Sequence, residues 1–266
     1  MTSDHILREQ PEGYPLLDND GLPISEIDVD NVDDAYADHT VSLQQLAAGA
    51  RAWRFGHVIV DEAQDLTPMQ WRMITRRARG GSMTIVGDLA QRSIGEPGEW
   101  VDHLPESIKD FNYRELTINY RSPAEIVPLA SAILAELAPK LRVATSIRSV
   151  GREPVAVQVV DIDNHDGANE LRELICAQAS AIDLGRVGVI GASDSARFEH
   201  ERVQWLDPWH AKGLEFDSVV VVEPARILAK PGGLSLLFVA VTRTTDRLTI
   251  VHQQPLPAVL AATVQS

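Results

Sequence analysis

The sequence predicts an α/β protein built on mostly parallel sheets, and three observations carry that prediction. Short β-branched runs stop abruptly at acidic or glycine residues, as Val58-Ile59-Val60 does before Asp61-Glu62. Such a run is apolar at every position, the pattern of a strand covered on both faces. Segments of helical length lie between the runs, so strands and crossover helices alternate, as a doubly wound sheet requires.

The elements follow in order. From Phe55 the rhythm begins, and Val58-Ile59-Val60 reads as a buried parallel strand. Thr67-Pro68 has helix-start chemistry, with Pro just inside a helix reaching about Arg79. Gly80-Gly81 ends that helix, and Met83–Val86 is the next strand, stopping at Gly87-Asp88. Glu115–Ile118 forms another, after which Ser122-Pro123 caps a helix to about Leu137. Strands at Val155–Val160 and Val187–Ile190 flank a helix over about 167–182. Ser218–Val222 is a further buried strand, and a helix from Ser235 to Thr242 with a strand Leu248–Val251 completes the pattern.

At 266 residues the chain is long enough for one large or two modest cores. No apolar run approaches the roughly 18 residues of a membrane span. The N-terminus lacks the basic-then-apolar order of a secretory signal. Cys176 is the single cysteine, so neither an intrachain disulfide nor a Cys-rich metal site is expected, and the setting that fits is reduced and cytoplasmic. Net charge is −14, unevenly spread: residues 1–50 hold eleven acids against Arg8, or −10, which leaves −4 for the other 216. An acidic chain opposes phosphate binding overall, yet the acid sits mostly in one segment, so charge excludes neither answer. Residues 1–45 are rich in Asp, Gly and Pro and read as an acidic, loop-rich lead-in, with a short helix at Ser42–Ala50.

Chemistry concentrates where these strands end. Asp61 and Glu62 would stand at the carboxyl edge of a parallel sheet, where ligands bind in such folds. Asp61 suits a hydrated Mg²⁺ on nucleotide phosphates, and Glu62 suits the attacking water. For Asp-Glu alone, a strand that merely ends in solvated acids is the alternative. Gly87 permits a tight turn and Gln91 could donate to a γ-phosphate, although Gly-Asp after a strand is also a common turn. Arg121 carries the planar fork that suits a phosphoryl group, and Tyr120 a flat face for adenine. Singly, an Arg paired with a nearby acid and a half-buried Tyr would explain them. Gly213 lets backbone approach a ligand closely. Arg243, at a helix end, would by itself be a solvated C-terminal charge.

Taken as strings, these stretches carry a resemblance. Asp61-Glu62-Ala63-Gln64-Asp65 resembles the Walker B box of UvrD/Rep-like superfamily-1 helicases. Val86-Gly87-Asp88-Leu89-Ala90-Gln91 is similar to the third motif of that family, and Asn119-Tyr120-Arg121-Ser122 to its fourth. Trp209-His210-Ala211-Lys212-Gly213-Leu214-Glu215-Phe216-Asp217 resembles the fifth, and Val239-Ala240-Val241-Thr242-Arg243 the sixth. The resemblance implies a RecA-like P-loop NTPase fold: a partial first core domain over 51–112 and a complete second one over 113–266, after the lead-in 1–50. It implies ATP and Mg²⁺ as cofactors, with Asp61 on the metal and Glu62, Gln91, Arg121 and Arg243 in catalysis. Gln64, Tyr120, Gly213 and Glu215 fall at nucleotide-binding positions, with Glu215 on the ribose. Single-stranded DNA is the partner implied. Pro68-Met69-Gln70-Trp71-Arg72 and the lack of a large insertion between motifs four and five resemble the HelD-type branch, which associates with RNA polymerase.

One family feature is missing. No Gly-x-x-x-x-Gly-Lys-Ser/Thr occurs, and Lys109, Lys140, Lys212 and Lys230 are the only lysines. That loop cradles the β- and γ-phosphates, and losing several charge-assisted contacts at about 1.5–3 kcal/mol each should cost well over ~3 kcal/mol of nucleotide affinity. The expectation is a chain catalytically silent alone, completed by an N-terminal half that carries the P-loop. The alternative is a non-enzymatic module that binds nucleic acid or RNA polymerase. Arg72, Arg76, Arg77 and Arg79 with Trp71 would then be a contact surface, unless they are an ordinary exposed helix face. If the first part is incomplete, hydrogen exchange should show weaker protection over 51–112 than over 113–266; equal protection in a monomer would contradict this.

Overall fold

From the strand Phe216–Val222, Val219 and Val221 point into one apolar core while Val220 and Val222 point into another. Alternate side chains leave a strand on opposite faces, so this strand is covered twice, as its apolar run Val219–Val222 requires. The computed structural model describes residues 54–264 apart from 93, 94, 96, 109, 183 and 192–195. The acidic lead-in 1–50 and the Ser42–Ala50 helix lie outside the described residues.

In chain order the elements are β1 (Val58–Val60), α1 (Pro68–Thr75), β2 (Met83–Ile85), α2 (Trp100–His103), β3 (Ile118–Asn119), α3 (Val127–Leu137), β4 (Thr145–Ser146) and β5 (Val155–Gln158). Then come α4 (His165–Ser180), β6 (Val187–Ile190), β7 (Val203–Leu206), β8 (Phe216–Val222), α5 (Pro224–Leu228), α6 (Gly233–Thr242), β9 (Thr244–His252) and α7 (Ala258–Ala261). Strands β5-β9-β8-β6-β7 form one sheet, parallel throughout. Strands β1 and β2 form a small sheet of their own, and β3 pairs with β4 in parallel. The α/β class and the parallel pairing agree with the RecA-like expectation.

On one face of the five-stranded sheet, Leu129 and Ile133 of α3 and Leu237 and Val241 of α6 pack with Ile190, Val219, Val221, Leu248 and Ile250. On the other, Leu171 and Ile175 of α4 pack with Val187, Val189, Val220, Val222 and Val251. A buried polar link crosses the second face. Gln178 donates to Thr249 Oγ1 at 2.7 Å and accepts from the Ser218 hydroxyl, so each partner is satisfied and α4 is held in register over β8 and β9. Among the described residues no helix is long and apolar enough to cross a membrane.

The described residues fall into two compact units, one of 54–58 with Met73–Met83, the other of Ile59–Arg72 with the described residues from Thr84 on. Within the described part of the first, Val58 N–H donates to Ser82 at 3.1 Å and Phe55 N–H donates to Arg77 at 2.7 Å. The second contains both cores and every candidate site residue.

Several local expectations shift. Helix α1 starts as its residues direct: Gln70 Oε1 accepts the Thr67 N–H at 2.7 Å, and Thr67 Oγ1 accepts the Gln70 N–H at 3.3 Å, a reciprocal cap. It stops at Thr75 rather than Arg79, because Ala78 pairs with Phe55 and the chain has left the helix by then. Strand β3 covers only Ile118–Asn119. Ser122 does not cap α3; its hydroxyl reaches the Thr242 carbonyl at 3.4 Å, and a 3₁₀ turn at Ala124–Ile126 leads into the helix. Ile59 is 73% exposed, so β1 is not buried on both faces as its apolar sequence suggested. Strand β7, with Gln204 inside it at the sheet edge, and the two-residue β4 were too short or too polar to stand out.

Leu171 is fully buried beneath the sheet. Leu171→Ala should cost about 2–5 kcal/mol in urea denaturation, and a loss well under ~1 kcal/mol would contradict this packing.

Candidate functional site

Beyond Val60 the chain turns sharply at Asp61-Glu62. Glu62 has left-handed backbone, φ 49°, uncommon for a residue with a Cβ and retained only where neighbours hold it. Its N–H donates to Asp61 Oδ1 at 2.8 Å, its Oε2 accepts from Gln64 Nε2 at 2.6 Å, and the next N–H, of Ala63, donates to Val86 at 3.1 Å. Gln64 is 1% exposed, and its amide works in both directions. Its Oε1 accepts the Asp88 N–H at 3.0 Å, and its carbonyl accepts from Arg92 at 2.7 Å. One buried amide thus ties the turn after β1 to the turn after β2. Gly87 makes room for it: a Cβ there would fall 2.7 Å from the Trp100 ring and closer still to Gln64 Oε1.

The second turn, Leu89–Gln91, is closed from within by Asp88, whose Oδ1 accepts the Ala90 N–H at 3.0 Å and whose Oδ2 accepts from Gln91 Nε2 at 2.7 Å. It is also held from the large sheet. Arg243 Nη2 donates to Gln91 Oε1 at 3.3 Å, and Lys212 Nζ donates to the Gln91 carbonyl. Lys212 pairs with Asp65 as well, at 2.6 Å. The Ser235 hydroxyl lies 2.7 Å from the Ala90 carbonyl and 2.8 Å from that of Arg92. Three successive carbonyls of the turn therefore meet donors from α6 and from the loop before β8.

The remaining candidates gather nearby. Arg121 forms an ion pair with Glu215; its N–H and that of Ser122 both donate to Asn119 Oδ1, at 2.8 and 3.2 Å. The bland alternative, an arginine paired with a neighbouring acid, is thus met by another candidate site residue. Tyr120 is 73% exposed, so its ring face is accessible. Gly213 has φ 69°, and a Cβ on it would lie 4.0 Å from Glu62 Oε1. Arg243 is 5% exposed, which removes the solvated-charge alternative. Burial, then repulsion from Arg121, hold its pKa below the ordinary arginine value, while Glu62, Asp88 and Glu215 pull the other way. Its charge is retained regardless. Glu62, Gln91, Arg121, Glu215 and Arg243 therefore share one electrostatic neighbourhood, with Asp61 bonded to the Glu62 N–H.

Exposed carboxylates of Asp61 and Glu62 with the guanidinium groups of Arg121 and the buried Arg243 nearby suit a phosphate chain carrying a divalent cation. Among the described residues no three or more His, Cys, Asp or Glu are placed so that together they could hold a metal ion. Mg²⁺ with nucleotide needs only one or two carboxylates, since water and phosphate fill its other positions, so Asp61 with Glu62 alongside fits the ion. Asp65, Lys212 and Ser235 were not singled out from sequence. The first two lie inside the quoted motifs, whereas Ser235 is a small helix residue that gives no signal. Trp71, offered above as part of a contact surface, is 1% exposed and packs inward; Arg72 and Arg76 remain exposed.

Comparison with known proteins places these motifs in context. Residues 27–94 match the model of the UvrD/REP helicase N-terminal domain. DNA helicase II of Haemophilus influenzae (strain ATCC 51907 / DSM 11121 / KW20 / Rd) is 34% identical over 91 residues, which are 33% of this chain and 12% of the relative. The chain therefore spans a small part of that relative's length. Among solved structures, the C-terminal domain of a possible DNA helicase from Lactobacillus plantarum WCFS1 is 18% identical, with 55% of this chain and 98% of that one covered at TM-score 0.41. The helicase nonstructural protein 10 of an Arterivirus is 18% identical, with 80% and 42% covered at TM-score 0.45.

Because Gly87 sits against Gln64 and Trp100, Gly87→Ala should destabilise the chain by about 1–3 kcal/mol, read as a lowered urea midpoint. An unchanged midpoint would show that the two turns are not packed as described.

Proposed function

We propose, from the motifs that resemble those of the UvrD/Rep-like superfamily-1 helicases, that this chain is part of an ATPase that couples ATP hydrolysis to movement on, or remodelling of, nucleic acid, single-stranded DNA first. The observation that carries the reading is the buried Arg243, which reaches Asp88 through the Gln91 amide and shares its field with Glu62 and Arg121. A guanidinium kept charged and dry beside carboxylates is the arrangement that stabilises a transferring phosphoryl group.

Bound Mg²⁺–ATP supplies the scissile anhydride and the divalent charge; the chain supplies position. Asp61 would hold the metal, and Glu62 would orient the attacking water and take its proton. Gln91, Arg121 and Arg243 would contact the γ-phosphate. Gln64 would keep Glu62 and the Asp88 turn in place, Tyr120 would stack on adenine, and Glu215 would bind the ribose beside the backbone of Gly213. Arg121 and Glu215 would exchange their mutual ion pair for nucleotide.

No P-loop occurs in this sequence, so the chain alone is silent or nearly so, and an N-terminal half carrying that loop would complete the phosphate site. The same gap favours a second reading, a cytoplasmic, non-enzymatic module that holds nucleic acid or RNA polymerase; the HelD-like string Pro68–Arg72 supports the polymerase arm.

Steady-state ATP hydrolysis with and without single-stranded DNA, alongside DNA binding at several salt concentrations, separates the two. Turnover by the chain alone should fall far below the ~1 s⁻¹ of an ordinary enzyme. Ordinary turnover would overturn the silent clause, and Arg243→Ala should then cut it by on the order of a thousand-fold. Salt-dependent DNA binding with no Mg²⁺–ATP binding at all would favour the second reading.

A further inference from the structure

The ribbon of β3 and β4 presents an apolar face of which the nucleotide reading uses only Tyr120, at one end. Residues two apart on an extended strand share a face, and Leu116, Ile118 and Tyr120 are 84%, 64% and 73% exposed. Ile118 is in register with Thr145, which sets Ile147, 70% exposed, beside Tyr120. Four large apolar side chains therefore lie together in solvent, where isolated exposed ones would be unremarked.

The ribbon also has an open edge. Thr145 N–H donates to Thr117 at 2.8 Å and Ile147 N–H donates to Asn119 at 3.1 Å, so the pairing with β4 uses the odd-numbered residues of β3. Backbone groups of successive strand residues face opposite edges, which directs the N–H and C=O of Ile118 away from β4. Among the described residues no strand pairs there. An exposed, apolar, unpaired edge is the template for strand addition.

Charge selects the occupant. Residues 111–152 hold six cations (Arg114, Arg121, Lys140, Arg142, Arg148, Arg152) against three acids (Glu115, Glu125, Glu136), a net of +3 in a chain of −14. Arg114 and Arg148 flank the ribbon; Arg148 bonds to the neutral carbonyls of Arg121 and Thr245, which leaves its charge uncompensated. Three of the four apolar side chains are aliphatic, suited to pack on aliphatic side chains rather than to stack on bases, which need aromatic platforms.

We propose that the free edge of β3 takes an extended acidic polypeptide segment of a protein partner by strand addition, its apolar residues on the face of Leu116, Ile118 and Ile147 and its acids in the field of the net-positive segment 111–152. The site lies outside the carboxylate turns and does not depend on nucleotide.

The probe is a labelled synthetic peptide in which Val and Ile alternate with Glu and Asp, titrated into the full chain by fluorescence anisotropy. Leu116→Asp and Ile118→Asp, both at exposed positions, should each weaken binding by at least about tenfold with thermal unfolding unchanged. Methylating alternate peptide nitrogens on the pairing side should abolish it. Absence of peptide binding, binding indifferent to both substitutions, or equal binding of the methylated peptide would overturn the proposal. So would an oligothymidylate that displaces the peptide and itself depends on Leu116 and Ile118, which would make the face a nucleic-acid site.

Discussion

The 3₁₀ turn at Leu89–Gln91 is the piece on which the site depends, because almost every polar group in it is held by something else. Asp88 closes it from one side, the buried amide of Gln64 sets its start, and Lys212 and Ser235 take its carbonyls. Buried polar groups carry a heavy penalty when unpaired, so such a turn resists displacement as a unit. The consequence is geometric: the side chain of Gln91, alone among its polar groups, is left to bridge a carboxylate and a guanidinium. Whatever moves α6 moves the Gln91 contact with Arg243.

The site also neutralises itself. Arg121 is matched by Glu215, Lys212 by Asp65, and Arg243 by the dipole of Gln91 and the field of Glu62 and Asp88. Cations clustered so closely would repel one another without these partners. An incoming anion must therefore compete with contacts already made, and only a ligand bringing its own divalent charge could satisfy the acids and the bases together.

Much of this was legible in the sequence, for reasons that can be named. Val187–Ile190 and the Val219–Val222 run of β8 carry no polar side chain because two helical layers cover them, and such a run reads directly as buried parallel strand. The candidate residues were legible because chemistry confines them to strand ends and turns. Other features escaped. The exposure of Ile59 depends on what lies beside β1, and a run of β-branched residues looks the same at a covered and an uncovered edge. Helix α1 stops early for a tertiary reason, the pairing of Ala78 with Phe55, that no local propensity records. Ser235 matters only because two distant carbonyls arrive above it.

The central claim is that the carboxylate turns and the Lys212–Arg243 region form one mechanically coupled site. A double-mutant cycle between Asp65 and Lys212, each replaced by Ala and unfolded in urea, tests it most directly. The account predicts a coupling on the order of 0.5–3 kcal/mol, the range for side chains in contact. Strictly additive losses would mean that the two groups do not act together, and the shared site would have to be abandoned.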